Sequence, residues 1–353
     1  MNNSNKLSVD KNIADSNLIS AAFYNKNKYF KKSIDKIFSK SWQFVTHSKS
    51  IQHKISPFYF MNDLINEPYI LIKDENIKIL SNICTHRANI LCNNYSNNKR
   101  ITCKYHGRNF HLSGKLNNAP GFENTNNFPT ENDNLKSAPM KIWNDFIFCS
   151  IKSPINIDSV LSDIDKRLYN YPFDQLLFDQ TSSNTYTIDA HWALYCENYL
   201  EGFHVPFLHK GLNNDINFKS YTTKVLENGV LQYSKNKYDN NEDQILDNDI
   251  YAYYYWIFPN LMLNFYNWGL SINIIEPIKK NKTRIKFLSF PIKSKKQPAD
   301  NPSSLDKVEL EDQEIVLNVQ KGINSYHYNG GRYSTNHEKG IHYFHQLIAR
   351  HLS

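Results

Sequence analysis

Two groups of residues in this chain have the types and spacing to hold metal. The first runs Glu201-Gly202-Phe203-His204-Val205-Pro206-Phe207-Leu208-His209, with two imidazoles and a carboxylate three residues before the first of them. On a helix advancing ~100° per residue, Glu201 and His204 fall on nearly one face. His209 lies about 140° round from His204, so a straight helix would not bring both to one ion. Pro206 lacks an N–H and clashes with the preceding turn, so the helix is expected to kink or stop there. Two imidazoles and one carboxylate from elsewhere form a facial set on iron that leaves positions open for O2 and a substrate. The second group is Cys84-Thr85-His86-Arg87 with Cys103-Lys104-Tyr105-His106-Gly107, and sixteen residues separate His86 from Cys103. Two thiolates and two imidazoles suit a [2Fe–2S] cluster with both histidines on one iron. A structural zinc ion takes the same four ligands, but such sites usually place both Cys in one half and both His in the other.

Further stretches carry a family likeness. They are Glu197-Asn198-Tyr199-Leu200-Glu201, His204-Val205-Pro206, Val319-Gln320-Lys321-Gly322, and Gly331-Arg332-Tyr333 through Phe344-His345. With them the chain resembles the large subunit of Rieske non-haem iron oxygenases, from about Phe30 to the C-terminus, and within that group the choline-monooxygenase and quaternary-ammonium enzymes. The resemblance implies an α+β fold: an all-β Rieske [2Fe–2S] domain, then a catalytic domain with a twisted antiparallel sheet surrounded by helices. It implies Cys84, His86, Cys103 and His106 as cluster ligands, and His204 and His209 on a mononuclear Fe(II). For the third iron ligand, Leu310-Glu311-Asp312-Gln313-Glu314 offers several acids that periodicity cannot separate. The resemblance selects Asp312, eight residues before Gln320, and leaves Glu309 or Glu311 on a solvated helix face. By its chemistry Glu201 is a hydrogen-bond partner for an imidazole, fixing its tautomer. The resemblance makes it a catalytic bridge between the iron of one subunit and a cluster histidine of the next, in a homotrimer or a multiple of one.

The chain departs from the family pattern in places. Ala88 stands for the usual Gly, Lys104 where Pro is common, and Arg108 where many members have Trp. Asp189-Ala190-His191-Trp192-Ala193 replaces a more familiar Asn-Trp-Lys. His191 reads as structural or surface, His342 and His345 as packing and hydrogen-bonding residues, and Cys196 as a small buried side chain. Asn89 and Tyr105 occupy the places where cytochrome-bc-type Rieske proteins carry a pair of bonded cysteines.

Composition limits the partners. At 353 residues there is room for two domains, and 14% aromatic residues describe a globular chain. The net charge of +7 comes with no basic run interleaved with aromatics, so no nucleic-acid surface is expected. Part of that charge is available to dock an acidic ferredoxin. Five cysteines, two of them taken by the cluster, form no disulfide framework and suit a reducing, cytoplasmic setting. Met1 to Asn12 has no apolar core of a signal peptide. Ile250 to Ile275 lacks charge but carries Pro259 and several Asn, so strands in a soluble protein are expected, not a membrane span. No Gly-rich dinucleotide fingerprint and no second Cys₄ pattern appears, so NAD(P)H must act through a separate reductase.

These residues are positioned by three expected segments. Residues 1–41 form an N-terminal lead-in with a helix over Lys26–Ser41 that packs on the catalytic domain. Residues 42–151 form the Rieske domain, with strands near Trp42–Thr46, Tyr69–Lys73, Ile77–Ser81, Arg100–Cys103 and Phe146–Ile151. Residues 152–353 form the catalytic domain. There a helix over Ile157–Leu168, a strand at Thr185–Asp189 and the helix bearing the iron motif are followed by a loop over Lys210–Asn217. Sheet strands follow over Tyr221–Leu231 and Tyr251–Phe290. A break at Pro298–Pro302 precedes a helix capped by Ser303 or Ser304 and running to Lys321, and Glu338–Leu352 closes the chain as a helix. The expected reaction is hydroxylation of a small quaternary ammonium or N-methyl compound with O2. The alternative is hydroxylation or dihydroxylation of an aromatic or other apolar ring. A quaternary ammonium has no N–H and must be held by aromatic faces, at ~0.5–2 kcal/mol each. At least two rings from the aromatic stretch 251–268 are therefore expected beside His204 and His209, drawn from one face of each strand. A lining of Leu, Ile and Met would favour the ring substrate.

Overall fold

The computed structural model describes residues 7–152, 154–237, 245–247, 249–293, 295 and 305–353, with the backbone alone for 305 and 306. The expected break at 298–302 and the Ser303 or Ser304 cap lie outside the described residues. The chain divides into two compact units, Ser39–Pro154 and Met1–Phe38 with Ile155–Ser353.

Among the described residues, the first unit is built of short strands: β1 (Gln43–His47), β2 (Ile55–Phe60), β3 (Glu67–Lys73), β4 (Ile77–Ser81), β5 (Arg100–Thr102), β6 (Asn109–His111), β7 (Leu116–Asn118), β8 (Met140–Trp143) and β9 (Phe146–Cys149). They pair antiparallel in the orders β1-β9-β8, β2-β3-β4 and β5-β6-β7. Ile55, Ile70, Ile72, Leu80, Ile101 and Phe110 close over a core that also contains Cys84 and Cys103. Four of these strands carry little sequence signal. β2 contains Pro57, which an edge strand tolerates, while β6 to β8 are only three or four residues long.

The second unit begins with α1 (Ala22–Asn25) and α2 (Asn27–Lys36), then α3 (Asp158–Arg167), β10 (Asp179–Ile188), α4 (Trp192–Tyr199), α5 (Val205–Leu208) and α6 (Leu212–Asp215). Six strands follow, β11 (Ile216–Leu226), β12 (Gly229–Asn236), β13 (Ile250–Ile257), β14 (Leu261–Tyr266), β15 (Gly269–Lys279) and β16 (Lys282–Pro291), and then α7 (Leu305–Gly322) and α8 (Lys339–Leu352). Among the described residues they make one antiparallel sheet in the order β10-β16-β15-β14-β13-β12-β11, so the first strand pairs with the last. The uncharged stretch 250–275 supplies β13, β14 and the start of β15, and β14 is buried along almost its whole length. Among the described residues no helix is long and apolar enough to cross a membrane. The N-terminal segment is tied to the end of the chain, with Lys32 Nζ donating to the Leu352 carbonyl at 3.2 Å.

In the iron-motif segment the helix ends earlier than the kink or stop expected at Pro206. α4 ends at Tyr199, before Glu201, and Glu201 to His204 form a separate turn. Pro206 does not stop a helix but sits in the first turn of α5, where its missing N–H has no intrahelical partner to lose. The expected loop over Lys210–Asn217 holds the single turn of α6. Tyr221–Leu231 is a hairpin of β11 and β12, turning at Asn228 with φ +56°.

Candidate active site

Cys84 and Cys103 open two loops of one shape. Each Cys carbonyl accepts from the N–H four residues on, Ala88 at 3.1 Å and Gly107 at 3.0 Å. Each Cys N–H donates to the carbonyl five residues on, Asn89 and Arg108, both at 2.8 Å. The fourth residue is left-handed in both loops, with φ +54° at Ala88 and +74° at Gly107. Glycine adopts that backbone freely, and Ala88 adopts it at a cost of about 1–2 kcal/mol. Both thiols are buried, His106 is exposed and His86 half-buried, and the two imidazole centroids are 4.8 Å apart. Burial raises the Cys84 thiol above its ordinary pKa. Burial acts the same way on Cys103, but the Tyr105 and His106 backbone N–H groups outweigh it and the net shift is downward. Asn89 Nδ2 lies 3.6 Å from Cys103 Sγ. Arg108, almost fully buried, donates to Thr85 Oγ1 at 2.9 Å and pairs with Asp133 at 3.4 Å. Its guanidinium also lies over the Phe122 and Phe128 rings, at 4.7 and 5.1 Å. Arg108 thus ties the two loops together.

Among the described residues, the one set of three or more ligating side chains whose donor atoms lie within 4.8 Å of one another is His204, His209 and Asp312. Cys84, His86, Cys103 and His106 do not form such a set within that distance. At the three-residue set, Asp312 Oδ1 is 3.0 Å from His209 Nε2 and 3.7 Å from His204 Nε2. Donors sharing one ion at about 2.1 Å each sit about 3–4 Å apart. The other ring nitrogens are committed to carboxylates: His204 Nδ1 to Glu201 Oε1 at 2.6 Å, and His209 Nδ1 to Glu311 Oε2 at 2.8 Å. A carboxylate can only accept, so each Nδ1 is held as a proton donor, and a metal ion would displace any proton from the two Nε2 atoms that face Asp312. Two Nε2 atoms and a carboxylate oxygen converge, a donor set that suits a cation between them. Burial alone would lower the His209 pKa, but Asp312 and Glu311 outweigh it and raise it. The residues fit a divalent iron.

Several side chains support this set. Asn198 on α4 donates Nδ2 to Asp312 Oδ1 at 3.1 Å. Glu201 Oε2 accepts the backbone N–H groups of Phe203 and His204, so one carboxylate both closes the turn and orients the ring. Gly202 is required at this turn, since a Cβ there would lie 2.5 Å from the Tyr221 ring. Glu311 corrects the expectation of a solvated face, because it is the second imidazole partner. Glu309 corrects it too, being 5% exposed and bonded to the Tyr195 hydroxyl. Spacing along the acidic run could not separate these three roles. A helix placing Asp312 inward also turns Glu309 inward, one turn back, and that was the available signal.

A cavity of about 150 Å³ opens beside His204, His209 and Asp312. From the aromatic stretch, Tyr251, Tyr254 and Tyr266 line it, joined by Tyr199, Tyr221 and Phe287 from outside that stretch. Tyr253, Tyr255, Trp256, Phe258, Phe265 and Trp268 do not. Tyr253 and Tyr255 turn to the other face, where their hydroxyls donate to Asp247 at 3.0 Å and to Asp163 at 2.8 Å. Strict alternation would separate Tyr251 from Tyr254. The register skips at Tyr251, between Lys235↔Ile250 and Ser234↔Ala252, and this bulge lets both reach the cavity.

The other histidines singled out in the sequence, His191, His342 and His345, are held by neighbouring groups away from this set. His191 is fully buried, caps α4 through Nδ1 to the Ala193 N–H at 3.3 Å, and has its pKa lowered by burial to about 3. His345 is held between Tyr333, at 2.7 Å, and Tyr24 and Glu197, at 3.3 and 3.2 Å. His342 Nε2 reaches the Asp10 carbonyl at 2.8 Å. Cys196 is buried, 3.6 Å from the Pro259 carbonyl.

Comparison with known proteins agrees with this layout. Residues 41–129 match the Rieske [2Fe-2S] domain, and residues 177–353 match the ring hydroxylating alpha subunit (catalytic domain). The chloroplastic choline monooxygenase of Arabidopsis thaliana is 30% identical over 350 residues, covering 94% of this chain and 82% of that protein. The carnitine monooxygenase oxygenase subunit of Escherichia coli (strain K12) is 27% identical, covering 94% and 93%. Among solved structures, the quaternary ammonium Rieske monooxygenase CntA with L-carnitine superposes with a TM-score of 0.75 at 21% identity over 96% of both chains. Naphthalene 1,2-dioxygenase with indole shares the fold at a TM-score of 0.68 and 16% identity, covering 95% of this chain and 92% of that one.

Proposed function

The chain belongs to the Rieske non-haem iron oxygenases, and from that premise we propose that it hydroxylates a small quaternary ammonium or N-methyl compound. One oxygen atom enters a C–H bond and the other leaves as water, with two electrons and two protons supplied from outside. The observation that carries this reading is the tyrosine-walled cavity beside His204, His209 and Asp312. Its volume does not choose the substrate, since cavities of about this size also hold benzene. Its lining does, because three tyrosine rings from one sheet face suit a cation without N–H groups. The choline and carnitine enzymes among its relatives support the same choice.

In this reading Cys84, His86, Cys103 and His106 hold the [2Fe–2S] cluster, and His204, His209 and Asp312 hold the mononuclear iron. When bound, the cluster stores and passes single electrons and the mononuclear iron activates O2. The rest falls to the chain's own side chains. Glu201 and Glu311 keep the Nδ1 protons and aim each Nε2 at the metal position. Asn198 holds Asp312 in place. The tyrosine rings position the substrate and exclude water. Electrons come from a separate reductase or ferredoxin, which draws on NAD(P)H and approaches the His86 and His106 side, where His106 is exposed. Glu201 bridges to a cluster histidine of a neighbouring subunit in a homotrimer. Exposed Phe203 and Phe207, at 41% and 75%, beside Glu201 support such a neighbour. In this reading residues 42–151 serve electron entry, while residues 152–353 with the lead-in 1–41 serve oxygenation. A reducing cytoplasmic setting fits cysteines that form no disulfide among the described residues.

Substrate-dependent O2 uptake with a reductase tests the reading, comparing choline, betaine and carnitine-like compounds with simple arenes. Uptake with at least one trimethylammonium compound is expected. Uptake with arenes alone, with hydroxylated product, would overturn it.

A further inference from the structure

The two cysteine loops share a backbone shape but differ in what faces their sulfurs. Cys84 Sγ takes the backbone N–H groups of His86 and Arg87, and Cys103 Sγ those of Tyr105 and His106. Among the described residues Cys103 alone has a side-chain amide as well, Asn89 Nδ2 at 3.6 Å, reaching over from the other loop. The partners of that amide fix its orientation. The same Nδ2 donates to the Ile90 carbonyl at 2.8 Å. A carbonyl and a metal-bound thiolate can only accept, so the NH2 end must face them, with one hydrogen for each. The main chain fixes where the side chain starts, because the Asn89 carbonyl takes the Cys84 N–H at 2.8 Å. Asn89 thus holds one cysteine through its backbone and the other through its side chain. Arg108, in the matching place of the second loop, crosses back to Thr85 and Asp133 instead.

Building on the assignment of Cys84 and Cys103 as cluster ligands, we propose that Asn89 is a positioning residue that raises the cluster's reduction potential through its N–H to Cys103 Sγ. On reduction the cluster takes one electron from the reductase and breaks no bond, so its net charge falls by one. Part of that charge resides on the ligand sulfurs. An N–H aimed at a sulfur stabilises the more negative state more strongly, and so favours the reduced cluster. Cys103 is 2% exposed and Asn89 half-buried, so little water competes for the sulfur. The consequence is a division of driving force between two steps. A higher potential eases electron entry from the reductase and leaves less for the onward transfer to the mononuclear iron.

The test is the midpoint potential of the full-length, cluster-loaded protein, equilibrated anaerobically with redox dyes and read from the cluster's visible absorbance. Asn89→Leu removes the donor at similar size, and Asn89→Asp puts an acceptor in its place. Asn89→Leu is expected to be about tenfold harder to reduce, a fall of about 59 mV for a one-electron couple, with iron and sulfide content unchanged. Asn89→Asp should fall further, because a carboxylate repels the charge that the electron adds. A residue that only braced the loops would not produce this order of potentials. Should Asn89→Leu fail to assemble the cluster, Asn89→Ala, which keeps the backbone contact to Cys84, gives the same comparison. Donor-free variants that hold a full cluster at the wild-type potential would overturn the proposal and leave the cluster assignment standing. Wild-type protein without cluster absorbance would overturn the proposal and that assignment together.

Discussion

In the proposed reading, a carboxylate on each Nδ1 readies two histidines and an aspartate to hold a metal. Glu201 and Glu311 do this at 2.6 and 2.8 Å, which leaves both Nε2 atoms facing Asp312. Asp312→Ala is expected to keep the cluster's visible spectrum and lose both the mononuclear iron and turnover, read by iron assay beside absorbance. Glu311→Gln should weaken the mononuclear iron by about 10–100-fold without abolishing it. Glu201→Gln should keep both centres but slow turnover, with the cluster still reducible. Normal turnover in Asp312→Ala with loss in Glu311→Ala would move the ligand to the neighbouring acid. At this scale the sequence was partly legible. Cys84, His86, Cys103, His106, His204 and His209 stand out by type and spacing alone. Asp312 needed the family likeness, and Glu309 and Glu311 were misjudged, because four acids within six residues carry no label for direction. Ala88 shows the opposite case. It departs from the family residue, yet the loop keeps the shape of its Gly107 counterpart, and only φ reveals what the departure costs.

At the scale of elements, the site depends on short irregular pieces set against a regular sheet. The sheet was legible because Ile250 to Ile275 is aromatic and β-branched, with breaks at Pro259 and Asn267. The pieces were not. Glu201 to His204 has helical spacing, but its carboxylate takes the turn's own N–H groups and ends the helix early. Pro206 reads as a stop in a one-dimensional pattern and is a start in the fold. The bulge at Tyr251 is invisible to period-2 reasoning, since alternation assumes an unbroken register. The tightest of these junctions is Gly202 beneath Tyr221. Gly202→Ala would place a Cβ 2.5 Å from that ring, a clash that Tyr221 must yield to. Overpacking of this kind costs ~1–3 kcal/mol, so melting should fall by a few degrees, with KM raised as Tyr221 shifts in the cavity wall. Unchanged melting and KM would mean that Tyr221 moves freely and does not shape the site.

For the whole molecule, two units answer to two kinds of metal chemistry, a separation the sequence shows in where its Cys-His and His-His motifs lie. What the sequence could not rank was the substrate, because tyrosines of a buried sheet and tyrosines of a cation site look alike until their faces are assigned. The central claim is therefore best tested by product and not by cofactor. The measurement is a single turnover: protein reduced chemically under anaerobic conditions, mixed with choline and isotopically labelled O2, then quenched and analysed by mass spectrometry. The account predicts an oxidised trimethylammonium product carrying one labelled oxygen, in an amount approaching one per mononuclear iron, and none from Asp312→Ala. Unaltered choline, alongside a labelled hydroxylated or dihydroxylated product when an arene replaces it, would contradict the account.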